Sequence, residues 1–221
     1  MLEDLKSEVC AENLELPANN LVVGTGGNVS ARDPDTGLIV IKSSGVKFAD
    51  MTPDSMVVVD LDGSIVEGSM KPSVDTGIHL YIYRHRHDVF GIAHTHSPYA
   101  TSFAARGESI PAILTPITHL LGRDVPCTNY VRPGEIETGQ AIVDTAGGGM
   151  AVLVRAHGVF TMGASATEAT SLALYLEEAA KTTHLALLRG DVEALPPEEI
   201  KRSYRWFRRN YGQSGRKKIN R

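Results

Sequence analysis

The chain has 221 residues, 42% of them hydrophobic and 22% charged, with a formal net charge of −4. That balance excludes a disordered, collagen-like or coiled-coil protein, and the length suits one domain whose core needs no disulfide staples. The acidic balance also argues against a general polyanion binder, so nucleic acid is not an expected partner.

In chain order, an amphipathic helix is expected over Leu2–Leu14, with Leu5, Val9 and Leu16 on one face. The segment Gly24-Thr25-Gly26-Gly27-Asn28-Val29-Ser30 then offers a loop whose backbone N–H groups can cradle an anion. A turn at Asp35-Thr36-Gly37 leads into a strand over Leu38–Ile41, and a second hairpin pairs Met56–Asp60 with Ser64–Glu67 around Asp62-Gly63. Lys71-Pro72-Ser73 marks the entrance of a helix to His85, with Ser73 as N-cap and Asp75 in the first turn, where a negative charge suits the dipole. Strands are expected at Val89–His94, Ala151–Arg155 and Val159–Met162. The capping box Ser165-Ala166-Thr167-Glu168 opens a long helix to Arg189, and a last helix covers Pro197–Arg209. Short hairpin strands flanked by helices predict an α+β or layered α/β/α domain rather than a doubly wound parallel sheet.

No apolar run approaches the ~18 residues of a membrane helix, and Met1-Leu2-Glu3-Asp4-Leu5-Lys6 lacks the basic-then-apolar order of a signal peptide. Cys10 and Cys127 make no disulfide framework. The expectation is a cytoplasmic protein with no membrane partner. Arg205 to Arg221 is basic without a single acid and is expected to be a solvated helix end followed by a loose tail.

Three of the eight histidines stand where metal chemistry would put them. In His94-Thr95-His96, at the end of a strand, residues two apart point to one face and can share an ion. His157 lies at another strand end, and Gly158 after it permits a tight turn. Together the imidazoles offer zinc a tripod with an open fourth position, as in a catalytic site. His79, one turn beyond Asp75, packs structurally or orients that carboxylate; His85 and His87 belong to a solvated helix end, and His184 is structural. Anion-binding candidates are the glycine loop, Ser43-Ser44-Gly45 after Lys42, and the helix entrance at Ser73. The glycines match neither a P-loop nor the dinucleotide fingerprint, so ATP and NAD are not implied.

In combination, Gly27-Asn28-Val29-Ser30-Ala31-Arg32, Ile41-Lys42-Ser43-Ser44-Gly45-Val46, Lys71-Pro72-Ser73-Val74-Asp75-Thr76, His94-Thr95-His96-Ser97 and His157-Gly158 resemble the class II aldolase/adducin family of metal-dependent sugar-phosphate enzymes. The resemblance runs to about Gln213 and implies a single domain over 1–213, with 214–221 as a basic tail. It implies a three-layer α/β/α sandwich around a mostly antiparallel sheet, and a homotetramer with active sites at subunit interfaces. The metal would be Zn2+, or another divalent ion such as Mn2+ or Co2+, on His94, His96 and His157. Asp75 would be a further ligand or would orient a water. Gly27, Asn28, Lys42, Ser44, Gly45 and Ser73 would bind the substrate phosphate.

Within the family, Lys42, Lys71-Pro72-Ser73, Asp75 and Tyr211-Gly212-Gln213 resemble the L-ribulose-5-phosphate 4-epimerase branch. That branch interconverts pentulose phosphates by retro-aldol and aldol steps through an enediolate on the metal. Tyr211 would serve as one acid/base, reaching a neighbouring subunit's site, and His119, where the branch has an aspartate, as the other. Val74 stands where a second phosphate-binding serine is common, and Ser203 near the place of a C-terminal histidine. Ser97-Pro98-Tyr99-Ala100-Thr101 has an aldolase character, so an aldolase of the L-fuculose-1-phosphate type is the alternative. A sugar-acid decarboxylase and a non-enzymatic adducin-type module are more distant readings.

Overall fold

The computed structural model describes residues 2–132 and 136–211; the tail over 214–221 and the Gly212-Gln213 ending lie outside them. Strands β1 (Asn28–Arg32), β2 (Ile39–Lys42), β3 (Met56–Val59), β4 (Ile65–Glu67), β5 (Gly91–Thr95), β6 (Ala151–Val154) and β7 (Gly158–Gly163) form one sheet in the order β4-β3-β2-β1-β5-β7-β6. Each pairing between these strands is antiparallel. The helices are α1 (Glu3–Ala18), α2 (Thr76–His85), α3 (Pro98–Arg106), α4 (Thr115–Leu121), α5 (Ile136–Ala146), α6 (Ala166–Leu187) and α7 (Pro197–Asn210).

Alternation along the strands builds the layers. Val29, Ala31, Val40, Val58 and Ala93 pack on one face with Val9 and Leu16 of α1 and Ala169 and Ala173 of α6. Their neighbours Ile39, Val57, Val59, Ile92, Phe160 and Met162 pack on the other with Ile78 and Ile82 of α2 and Ile142 of α5. A sheet apolar on both faces must be covered twice, which gives the α/β/α sandwich. A third cluster joins Phe103 of α3, Ile117 of α4 and Ile200 of α7 to Leu153 and Leu176 beyond one edge of that core.

Several boundaries differ from the sequence expectation. Asn28, Val29 and Ser30 belong to β1, so the glycine loop ends at Gly27. Helix α2 starts at Thr76 with Asp75, not Ser73, at its N-cap. The reason is local: Thr76 Oγ1 and N both donate to the Ser73 carbonyl, closing a turn before the helix, while the Ser73 hydroxyl accepts from the Asp75 N–H at 3.3 Å. At α6 the box is half reciprocal. Ser165 Oγ accepts from Glu168 N, but Glu168 Oε2 accepts from Ala164 N at 2.7 Å, one residue earlier than the motif implies. Helices α3, α4 and α5 have no counterpart in the sequence reading; α3 and α4 are short, and each is started by a proline in its first turn.

One side chain ties α1 to the sheet. Buried Asn13 accepts from Val29 N through Oδ1 (2.9 Å) and donates from Nδ2 to the carbonyls of Val29 (3.2 Å) and Val9 (2.7 Å). It satisfies both backbone groups of Val29 as a strand partner would. Asn13→Leu keeps the volume and leaves those groups unpaired, and is expected to cost about 3 kcal/mol, a fall in Tm of roughly 6–12 °C. Thermal unfolding followed by circular dichroism checks this, and an unchanged Tm would contradict it.

Candidate metal centre

The sheet delivers two imidazoles from one strand end and a third from a neighbouring turn. His94, next to last in β5, lies opposite Asn28 of β1 and Phe160 of β7. Its ring is 1% exposed and stacks on Phe160 at 4.2 Å between centroids and 15° between planes. Nδ1 lies 2.9 Å from the Val159 carbonyl. A carbonyl only accepts, so Nδ1 carries the proton and Nε2 is left with its lone pair. His96 and His157 bring their rings to 4.8 Å from that of His94, and one nitrogen from each of the three lies within 4.8 Å of the others. His94 Nε2 and His157 Nδ1 are buried without a hydrogen-bond partner. Three neutral imidazoles that each bring a nitrogen within this distance of the others, with two buried ring nitrogens lacking partners, fit a divalent cation.

Electrostatics keeps the set ready. Burial pushes His94 down to about 3, and burial lowers His96 and His157 as well. All three imidazoles are therefore neutral at pH 7, the form that binds metal. Asp75 stands beside them. Its burial alone would raise the carboxyl, but its attraction to the protonated forms of His94 and His79, which arise only at low pH, and a hydrogen bond from Asn28 outweigh that and hold it below the usual carboxylate range.

The backbone explains the glycines. The β6–β7 turn that aims His157 places Ala156, not Gly158, in the left-handed region (φ 58°). Gly158 is required for space: a Cβ there would overlap the Thr95 carbonyl and lie 2.8 Å from His96 Cδ2 and 3.3 Å from His94 Cε1. Gly27, at φ 72°, likewise leaves no room for a side chain against the His94 carbonyl and Val22. After His96 the chain enters α3, whose Tyr99 and Ala100 N–H groups donate to Glu177 of α6 at 2.8 and 2.9 Å. Glu177, like the Val159 carbonyl and Phe160, has no signal in the sequence because its partner lies far away along the chain.

The imidazoles line one wall of a pocket of about 500 Å³, with Gly27, Asn28, Lys42, Ser44, Gly45, Ser73 and Asp75 on the others. Lys42 is buried, donates to the Thr25 carbonyl at 3.0 Å, and is lowered by burial. Gly45 takes φ 71° in the turn after β2. His119 and Tyr211 are elsewhere. They line a cleft of about 380 Å³ with Phe207, Asp88 and Ala164, His119 stacking on Phe207 at 4.8 Å and Tyr211 on its ring at 4.3 Å. Asp88 and Ala164 flank Gly91 and Gly163, a cross-strand pair three residues, about 10 Å, along β5 from His94. Within one chain these two residues do not meet the histidines.

Gly158→Ala should push the His94 and His96 rings apart and weaken binding of a divalent cation, with zinc as the probe, about 10–100-fold, the usual scale for loss of ligand-orienting contacts. Competition with a chelating dye measures it, and zinc affinity within twofold of the parent would refute the packing argument.

A family model described as the class II aldolase and adducin N-terminal domain matches residues 7–184. L-ribulose-5-phosphate 4-epimerase UlaF of Salmonella paratyphi C is 39% identical over 222 residues, covering 96% of each chain, and the protein of that name from Salmonella choleraesuis is equally similar. Among solved structures, an L-fuculose 1-phosphate aldolase superposes with a TM-score of 0.89 at 32% identity, over 92% of this chain and 96% of that one. The L-fuculose-1-phosphate aldolase of Thermus thermophilus gives 0.73 at 27%, over 86% and 98%. From its matched segment, its histidine centre and its sheet, the chain belongs to the class II aldolase and adducin family.

Proposed function

We propose that the chain is a zinc-dependent epimerase of a phosphorylated pentulose, interconverting L-ribulose 5-phosphate and D-xylulose 5-phosphate. The observation that carries this reading is the Asp75 carboxylate beside three neutral imidazoles in a pocket that also holds a buried lysine. The full-length likeness to proteins named as that epimerase supports it over an aldolase of the L-fuculose-1-phosphate type. Residues 1–213 would act as one domain and 214–221 as a tail outside it. Two free thiols, Cys10 and Cys127, suit a reducing compartment, and a cytoplasmic location is part of the proposal.

His94, His96 and His157 would hold the zinc, with Asp75 beside it. The ion would supply Lewis-acid stabilisation of charge developing on the substrate's carbonyl and adjacent hydroxyl oxygens. Lys42 places its ammonium in the pocket, where a phosphate restores the charged form that burial disfavours. Ser73 Oγ accepts from Asn28 and from the Asp75 N–H, which leaves its own proton free for the phosphate. Ser44 and the Gly45 turn close the other side, with Gly27 at the base. Anchoring the phosphate fixes the reacting carbons, a positioning effect worth on the order of 7–11 kcal/mol in ideal cases.

Removal of the C4 hydroxyl proton breaks the C3–C4 bond, leaving an enediolate and a phosphate-bearing aldehyde. Rotation of the aldehyde and attack by the enediolate on its other face reforms the bond with inverted configuration, and the new alkoxide takes a proton. One acid/base is required on each face of the aldehyde. We assign these roles to Tyr211 and His119 of an adjacent subunit in a homotetramer, because within their own chain they lie at the far end of β5.

Carbon-13 NMR of the zinc-loaded protein with L-ribulose 5-phosphate should show D-xylulose 5-phosphate appearing and a chelator stopping it. Fragments without the epimer would place the enzyme among the aldolases, and no chelator-sensitive change would reject the substrate. The subunit assignment has its own check. Equal amounts of inactive His96→Ala and Tyr211→Phe subunits, dissociated and reassembled together, should recover about one quarter of parental activity, since half of the subunits carry each intact half-site. Recovery of none would show that each chain completes its own site.

A further inference from the structure

The three imidazoles are not held alike. His94 lies within β5 and its ring is tied to the Val159 carbonyl. His96 is exposed and stands one residue beyond the end of that strand. Its main chain binds it to the fold, the N–H donating to the Leu21 carbonyl at 3.1 Å. Where its ring points therefore depends on the path of the chain on either side. Leu21 fixes the side before it. On the side after it, Ser97 and Pro98 lead straight into α3.

Helix α3 is capped from another part of the chain. Serine is a good N-cap residue, yet the Ser97 hydroxyl makes no bond to the first turn and lies 3.3 Å from Thr95 Oγ1 instead. Pro98 has no N–H to satisfy, and the Thr101 N–H makes the first helical bond to the Ser97 carbonyl at 2.9 Å. That leaves the N–H groups of Tyr99 and Ala100. Glu177 of α6 accepts both, one on each carboxylate oxygen, at 2.8 and 2.9 Å. A negative charge also suits this end of a helix. Two bonds to one planar group fix the first turn in rotation as well as in position. The support is rigid, because α6 sits on the sheet, Ala169 and Ala173 packing with Val29, Ala31 and Ala93. Glu177 thus links the body of the sandwich to Tyr99, three residues after His96.

We propose that Glu177 is a positioning residue for the cation site: by capping α3 from α6 it sets the path of the chain that leaves His96, and so holds that imidazole on the point shared with His94 and His157. This rests on the three histidines being the metal centre. Without the carboxylate, two N–H groups lose their partners, the first turn of α3 loosens, and His96 moves while the other two imidazoles stay in place.

The test compares Glu177→Gln with Ser165→Ala. Glutamine offers one acceptor oxygen and turns an NH2 group toward the remaining N–H. Ser165→Ala removes the N-cap of the same helix, where it accepts from Glu168 N, and controls for a general loss of stability. Zinc affinity, measured by competition with a chelating dye, is expected to fall about tenfold or more in Glu177→Gln and to stay within about twofold in Ser165→Ala. NMR of the metal-free protein with isotope-labelled histidine should show the His96 imidazole signals moving in Glu177→Gln while those of His94 and His157 hold. An unchanged zinc affinity in Glu177→Gln, an equal loss in Ser165→Ala, or equal movement of all three imidazoles would overturn the assignment. Failure of the parent protein to bind zinc, manganese or cobalt would count instead against the metal centre, and the histidine spectra would still decide the link between Glu177 and His96. Glu177→Asp, which keeps the charge but is one methylene too short to hold both N–H groups, serves for the same comparisons if the glutamine variant does not fold.

Discussion

The site depends on how one imidazole is held. His94 is buried on the sheet, stacked against its cross-strand neighbour Phe160, and its Nδ1 proton is fixed on the Val159 carbonyl. That single bond selects the tautomer, locks the ring plane and leaves Nε2 as a lone pair in a place where water does not reach. Burial by itself would make this an expensive arrangement, since an unpartnered buried polar atom costs about 1–3 kcal/mol. The cost is offset when a cation occupies the point on which His96 and His157 also converge.

The same row of the sheet extends the arrangement sideways. Asn28, His94 and Phe160 are direct neighbours across β1, β5 and β7, so their side chains share a face. Helix α2 lies on that face with Asp75, His79 and Tyr83 spaced four residues apart from its N-cap inward. Asp75 meets Asn28, while His79 and Tyr83 both meet Ser30, at 2.7 and 2.8 Å. Four residues of helix rise about 6.0 Å and two residues of strand about 6.6 Å, so Asp75 and His79 of this polar stripe stay in step with the alternate strand residues Asn28 and Ser30, and Tyr83 shares Ser30. A slip of one residue in β1 would turn Asn28 and Ser30 to the opposite face and leave the stripe of α2 without partners. The helix that carries the carboxylate is thereby registered against the strand beside the metal ligands.

This explains what can be read from the sequence and what cannot. The spacing of His94 and His96 announces a shared face because strand geometry is local, and the hairpins at Asp35-Thr36-Gly37 and Asp62-Gly63 are local too. Ser73 looks like an N-cap when only the helix that follows is weighed, whereas Asn28, distant in sequence, competes for Ser73 and Asp75. Gly158 suggests a tight turn, yet its need is for room beside two imidazoles, which no local pattern encodes. Phe160 and Glu177 look like ordinary core and helix residues until their long-range partners are known. Helices α3 and α4 escape the sequence for a related reason: they are too short to show a clear period, and packing against α6 and α7 makes them stable.

The two ends of the sheet divide the chemistry. At one end, rigid strand termini and tight glycine turns hold the three histidines and the pocket lined by Asn28, Lys42, Ser73 and Asp75, where an error of an ångström would be costly. At the other, His119 and Tyr211 lean on the exposed side of α7, stacked on Phe207, with Tyr211 70% exposed. An exposed phenol is poorly placed to move a proton in its own chain, where water would compete at every step. Burial against a second copy would remove that water and bring the hydroxyl to a prearranged pocket that contains Asp75 but no tyrosine. A rigid binding half and a proton-moving half on separate subunits would make turnover contingent on assembly, since a lone chain could bind the sugar phosphate without completing both faces of the aldehyde.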